Sequence, residues 1–174
     1  MKRKGLIISG LIAFVLIVGA YLYLGGLNKV DYSIENVSDY NLVGVLYQGE
    51  GDSPEIEQAF FEAKDYIEAG RFKGVLTIVH YNDTTLAEEE LKMFIGVKLE
   101  SGTSDLPANY SRLSIPASNA VRAQIEAHNV VMPSPATIEA KMRETAEGAR
   151  LELQNFTIEQ YISENLLIIE MPAK

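Results

Sequence analysis

Hydrophobic and polar positions follow three rhythms along this chain. The first is unbroken: Gly5 to Leu24 is apolar apart from Ser9, with Tyr21 and Tyr23 at its far end. About 20 residues at a rise of ~1.5 Å match a hydrocarbon core of ~30 Å, and interfacial aromatics belong at such an end. Lys2, Arg3 and Lys4 precede the run and Lys29 alone closely follows it. This pattern predicts an uncleaved signal anchor, with a cleaved signal peptide as the alternative, and a cytoplasmic N-terminus with the rest of the chain on the outer side. Gly25-Gly26-Leu27-Asn28 reads as a short flexible linker. The expected division is an anchor and linker over residues 1–27 and one domain over 28–174.

The other two rhythms, period 2 and period 3.6, alternate through the domain. Tyr32 to Val37 alternates loosely and Asn41 to Tyr47 is apolar and rich in β-branched residues, so together they predict one bent or bulged strand. Ser53-Pro54-Glu55 then signals a helix start: a side-chain acceptor for a free amide, a proline suited to the first turn, and a carboxylate at the positive helix end. Ile56, Ala59, Phe60, Ala63 and Ile67 make one apolar stripe, and Gly70 supplies a stop. Val75 to Tyr81 and Met93 to Leu99 read as the next two strands, separated by the polar stretch Asn82 to Glu90.

The same order recurs downstream. A shift of 78 positions lays Tyr110-Ser111 over Tyr32-Ser33, Asn119 over Asn41, Val121 over Val43 and Gly148 over Gly70. A second Ser-Pro start, Ser134-Pro135, opens a modest stripe of Ile138, Met142, Thr145 or Ala146, and Ala149, and Phe156 to Ile162 and Leu166 to Met171 give two last strands. The expected fold is α+β: a duplicated β-α-β-β unit forming a pseudo-twofold antiparallel sheet with two helices on one face and a groove between the halves, preceded by one transmembrane helix.

Composition changes the picture at two points. The formal charge is −9, of which Lys2, Arg3 and Lys4 contribute +3, so the chain after the apolar run carries −12. Such a field opposes nucleic-acid binding, which needs Lys and Arg against phosphates, and weakly favours cationic ligands. There is no cysteine, which removes disulfides, thiolate zinc sites and cysteine nucleophiles. Asn-x-Ser/Thr triplets begin at Asn36, Asn82, Asn109 and Asn155, glycan acceptors only in a eukaryotic secretory route.

Recognisable catalytic and metal motifs are missing. His80 and His128 lack paired ligand spacing, Gly49 and Gly51 lack the rest of a phosphate loop, and no nucleophile elbow or zincin helix is present. No metal and no cofactor is expected. Glu159 stands out instead: period 2 places it on one face of its strand with Tyr161. If that face lines the groove, the carboxylate is partly desolvated beside an aromatic ring and suits a cationic or hydrogen-bond-donating ligand.

Val43-Gly44-Val45-Leu46-Tyr47-Gln48-Gly49, Ala59-Phe60-Phe61-Glu62, His80-Tyr81-Asn82-Asp83 and Ile158-Glu159-Gln160-Tyr161 occur in that order. In them the chain resembles the GyrI-like family, the effector-binding domain of AraC-type and multidrug-responsive regulators, over roughly Tyr32 to Met171. The resemblance implies a groove for small organic ligands, often lipophilic cations, with Glu159 as the acidic contact and Tyr81 as the aromatic of a Tyr-Tyr-Asp-x-Pro motif. His80 replaces the preceding tyrosine and Asn82 the Asp. Tyr66 stands near the place where many members carry a tryptophan. The ligand-binding set expected on these grounds is Glu159, Tyr161, Tyr81 and Tyr66.

Some similar proteins hydrolyse strained cyclopropane-containing electrophiles, which makes a detoxifying hydrolase the alternative, with Glu159 positioning water. A scaffold module with a vestigial groove is a third reading. The leading expectation is a membrane-anchored module, held by Gly5 to Leu24, that binds a small amphipathic molecule or a peptide segment.

Overall fold

The computed structural model describes the backbone of residues 2–102 and 105–174, and the side chains of those from Ile12 onward except Asn129. The first helix, α1, spans Lys2–Tyr23. Its described apolar side chains, among them Phe14, Leu16 and Ile17, are exposed. Among the described residues no helix is long and apolar enough to cross a membrane, so the structure does not establish the expected transmembrane helix.

Eight strands follow: β1 (Asp31–Asn36), β2 (Tyr40–Glu50), β3 (Gly74–Tyr81), β4 (Glu90–Leu99), β5 (Ser111–Ile115), β6 (Asn119–Ile125), β7 (Phe156–Ser163) and β8 (Leu166–Pro172). Helix α2 (Pro54–Glu68) lies between β2 and β3, and α3 (Pro135–Gly148) between β6 and β7. All strands join one antiparallel sheet in the order β1-β6-β8-β7-β3-β4-β2-β5. Exchanging the two halves of the chain reverses this order onto itself, which is the expected pseudo-twofold.

Two expectations are corrected. The single bent strand is two strands: after Asn36 the chain leaves for the far side of the sheet, so β1 pairs with β6 of the second half, while β5 reciprocally pairs with β2 of the first. The unit is therefore β-β-α-β-β, and neither half is self-contained. The 78-residue shift survives at these crossed edges, where Ser33 opposes Arg122 and Ser111 opposes Gly44. The helix stop at Gly148 is also wrong. Gly70 has φ +69 after α2, but its counterpart after α3 is Arg150, with φ +57. There Leu151 N–H donates to Ala146 and Arg150 N–H to Glu147, as Arg71 donates to Tyr66 and Gly70 to Ile67, so hydrogen-bonded closure holds a non-glycine in the left-handed region.

The Ser-Pro starts behave as expected. Ser53 and Ser134 cap their helices and accept from Glu55 N–H and Thr137 N–H. One apolar face of α2 packs Ala59 and Ala63 over Val43, Leu76, Ile78, Ile95 and Val97. Likewise α3 packs Ile138, Met142 and Ala146 over Val121, Ala123, Leu167 and Ile169. Both helices thus sit on one face, α2 toward β2, β3 and β4 and α3 toward β1 and β6. Strands β7 and β8 floor the space between them.

The opposite face is closed by a buried polar cluster. Glu170, fully buried, accepts from Arg122 Nε and Nη2 at 2.9 and 2.6 Å, from Tyr40 Oη at 2.8 Å and from Gln160 Nε2 at 2.6 Å. Lys98 Nζ donates to Gln160 Oε1 and lies 4.8 Å from the Tyr40 ring centroid. Tyr40 and Glu170 belong to β2 and β8, four strand spacings apart, or roughly 19 Å in a flat sheet. Their hydrogen bond requires this face to curl inward over Val79, Phe94 and Ile158. The pair Arg122 and Glu170 has Gly44 opposite Gly96 as its first-half counterpart. A Cβ on Gly44 would stand 2.2 Å from Ile95 O, so the backbones there approach too closely for any side chain. Removing the Arg122 guanidinium leaves the Glu170 charge uncompensated. Arg122→Leu is expected to lower unfolding free energy by about 3 kcal/mol, measured by urea denaturation, against about 1 kcal/mol for Tyr40→Phe.

Candidate functional site

The central ladder pairs β3 with β7, and its register fixes the site. Ser53 and Ser134 are 81 residues apart, as are Ile78 and Glu159. Ile78 and Glu159 also face each other across the ladder. Two residues that are at once paired and equivalent lie on the pseudo-twofold, so Glu159 sits at the axis. The same relation makes His80 and Tyr161 equivalent, one on each flank of the carboxylate.

Both flanks touch it. Tyr161 Oη donates to Glu159 Oε2 at 2.9 Å, and His80 Nε2 stands 3.4 Å from the same oxygen. His80 Nε2 is buried and makes no hydrogen bond, so this contact is an ion pair when the imidazole is protonated. The Glu159 side chain keeps 18% of its exposure. Burial pushes its carboxyl pKa up, but the adjacent His80 and the Tyr161 hydroxyl together outweigh burial and hold it below the ordinary glutamate value. Tyr161 is held far above the ordinary tyrosine value, by its own burial and then by the adjacent Glu159 charge. Glu159 is therefore ionised at neutral pH beside a tyrosine that stays protonated and donates.

Around this carboxylate runs a groove of about 1020 Å³ between the two helices. Phe60 and Ile67 of α2 form one wall, Pro135 and Ile138 of α3 the other, and Tyr161, Leu167 and Ile169 the floor. Phe60 meets the Tyr161 ring edge to face, with centroids 5.3 Å apart. The floor of the site is thus apolar and aromatic around the Glu159 carboxylate, with Lys64, Glu68 and Glu164 also lining the groove, and this floor suits a cation with apolar substituents.

The expected residues divide. Glu159 and Tyr161 come together on the groove floor, as period 2 predicts. Tyr81 lies on the other face, packed with Phe156 at 6.0 Å and capped by Lys92 at 5.6 Å. Its neighbour His80 is on the same face as Glu159 and touches it without lining the groove, because one residue along a strand changes the face. Tyr66 sits near the end of α2, against Phe72 and Tyr110, with its hydroxyl donating to Glu62 and Arg71 over its ring. It is not among the groove-lining residues. Phe60 and Ile138 are legible in the sequence as core stripe members, not as walls. Among the described residues no group of three or more His, Asp or Glu converges as a metal site.

No family model matches the chain, and no curated protein does. Among solved structures, a hydrolase from Listeria innocua aligns over 84% of this chain and 93% of its own, with a TM-score of 0.57 at 12% identity. The EcmrR C-terminal domain aligns over 83% of this chain and 98% of its own, with a TM-score of 0.55 at 14% identity. EcmrR in its DNA complex aligns over 99% of this chain and 70% of its own, with a TM-score of 0.57 at 14% identity. At these identities the likeness is one of fold.

Glu159 has a depressed pKa in the folded protein, so its stabilising contribution is complete above the ordinary glutamate range and is lost as pH falls through the depressed value. Carboxyl ¹³C NMR should show Glu159 titrating below other glutamates. In His80→Phe, with one of its two stabilising partners gone, the same resonance should titrate at higher pH; an unchanged titration would remove His80 from the site.

Proposed function

We propose that this chain is a membrane-anchored binding module whose groove holds a small amphipathic cation against Glu159. The carrying observation is the ionised, largely buried Glu159 carboxylate on a groove floor shared with Tyr161, Leu167 and Ile169. The Phe60–Tyr161 pair offers aromatic surface to the ligand's apolar part, while the carboxylate neutralises its charge. Tyr161 and His80 hold the carboxylate in place without enclosing it.

The anchor belongs to the same reading. Helix α1 has 22 residues, about 33 Å at the helical rise, and its described large apolar side chains are exposed. The basic residues ahead of it favour a cytoplasmic N-terminus, which puts the groove on the outer side. Tyr81 and Tyr66 support the fold around the groove, and Glu159 and Tyr161 carry the contact.

Isothermal titration with tetraphenylphosphonium tests the binding. Loss of a charge-assisted contact worth roughly 1.5–3 kcal/mol predicts about 10- to 100-fold weaker binding to Glu159→Gln. Equal affinity in the two proteins would remove Glu159 from the site.

A second reading, hydrolysis of a reactive electrophile in the same groove, draws support from the fixed Glu159 carboxylate, which Tyr161 and His80 hold in position to orient an attacking water. Turnover of a cyclopropane-containing electrophile, lost in Glu159→Gln, would favour it; no turnover by the native chain would set it aside.

A further inference from the structure

The pseudo-symmetry of the domain fails at one end of the groove, and the failure involves α1. From β2 to the first helix cap the chain goes directly from Glu50 to Ser53, whereas β6 ends at Ile125 and the second cap is Ser134. The additional segment carries a 3-10 turn, Asn129–Val131. Its residues His128, Met132 and Pro133 line the groove.

The same segment grips the root of α1. His128 N–H donates to Leu24 O at 2.9 Å, and Asn28 Nδ2 donates to Glu126 O at 2.5 Å. Gly25, at φ +81, lies so close that a Cβ there would stand 2.9 Å from Glu126 O and 3.2 Å from Ala127 Cα. Only glycine satisfies both the backbone conformation and the approach. The expected flexible linker is thus a docked turn, and a docked turn fixes where α1 leaves the domain.

At this end of the strands two large apolar side chains stand exposed beside the polar turn Ser163-Glu164-Asn165. Val130 is 79% exposed and Ile162 43% exposed. Ile162 lines the groove with Leu166 at the β7–β8 turn. We propose that the mouth of the groove faces a bilayer surface, an inference that rests on the anchored-module reading above. A bilayer that holds α1 up to Tyr21 and Tyr23 meets the domain at Leu24, one hydrogen bond from the groove-lining His128. Val130 and Ile162 then enter the interface, where exposed apolar side chains gain from leaving water. Ligands reach Glu159 from the lipid surface, which selects amphiphiles with a cationic head and a membrane-partitioned apolar part over small hydrophilic cations.

The absence of cysteine makes the test clean, because one introduced thiol is unique. Val130→Cys, Ile162→Cys and Thr84→Cys change exposed positions, the last at the opposite end of the strands. Each full-length variant is labelled with bimane and reconstituted in phosphatidylcholine nanodiscs with and without brominated lipid. The expected result is loss of fluorescence at positions 130 and 162 in brominated discs and its retention at 84. Equal fluorescence at all three positions in a chain that co-purifies with the discs would overturn the orientation while leaving anchoring and groove binding intact. A chain that does not associate with the discs would overturn the anchor, and this inference with it.

Discussion

The antiparallel pairing of β3 with β7 is the constraint on which the rest of the molecule depends. Each strand belongs to a different half, and their ladder is the seam of the sheet. Its register puts Ile78 opposite Glu159, which sets that carboxylate on the pseudo-twofold and brings His80 and Tyr161 to either side. A slip of one residue would send Glu159 to the curled face and Gln160 into the groove. The crossed edges, β1 on β6 and β5 on β2, brace this register from outside, since each half completes the other's sheet.

Two carboxylates on the two faces show how environment separates structure from binding. Glu170 accepts from Arg122, Tyr40 and Gln160 and is sealed from solvent, so its hydrogen-bonding capacity is spent within the fold. Glu159 has one hydroxyl donor and one imidazole at ion-pair distance, and it opens to the groove between the two helices. Charge of the same kind is structural where it is saturated and available where it is not. The single ionised group at the axis also breaks the symmetry of the halves, because its counterpart is the apolar Ile78.

The helices and most strands are legible in the sequence because the signals that encode them are local. Ser-Pro starts, apolar stripes and period-2 alternation act within a few residues, and the shared face of Glu159 and Tyr161 follows directly from them. The break between Asn36 and Tyr40 has no such signal, since both segments read as strand and only pairing with the opposite half separates them. The left-handed backbone of Arg150 is equally hidden, being imposed by hydrogen bonds and not by its own side chain. A motif assigns Tyr81 to the groove, whereas alternation along β3 turns Tyr81 to the other face and its neighbour His80 toward Glu159. The docking of Gly25 onto Glu126 and Ala127 joins residues about a hundred positions apart, and no local pattern encodes it.

The central claim is that Glu159 on the pseudo-twofold is the contact for a bound cation. Its most direct test is a crystal structure of the domain with the phosphonium probe. The predicted density lies between α2 and α3, with the phosphorus centre nearest the Glu159 carboxylate and its rings against Phe60 and Tyr161. Ordered probe bound elsewhere, with the groove filled only by water, would contradict it.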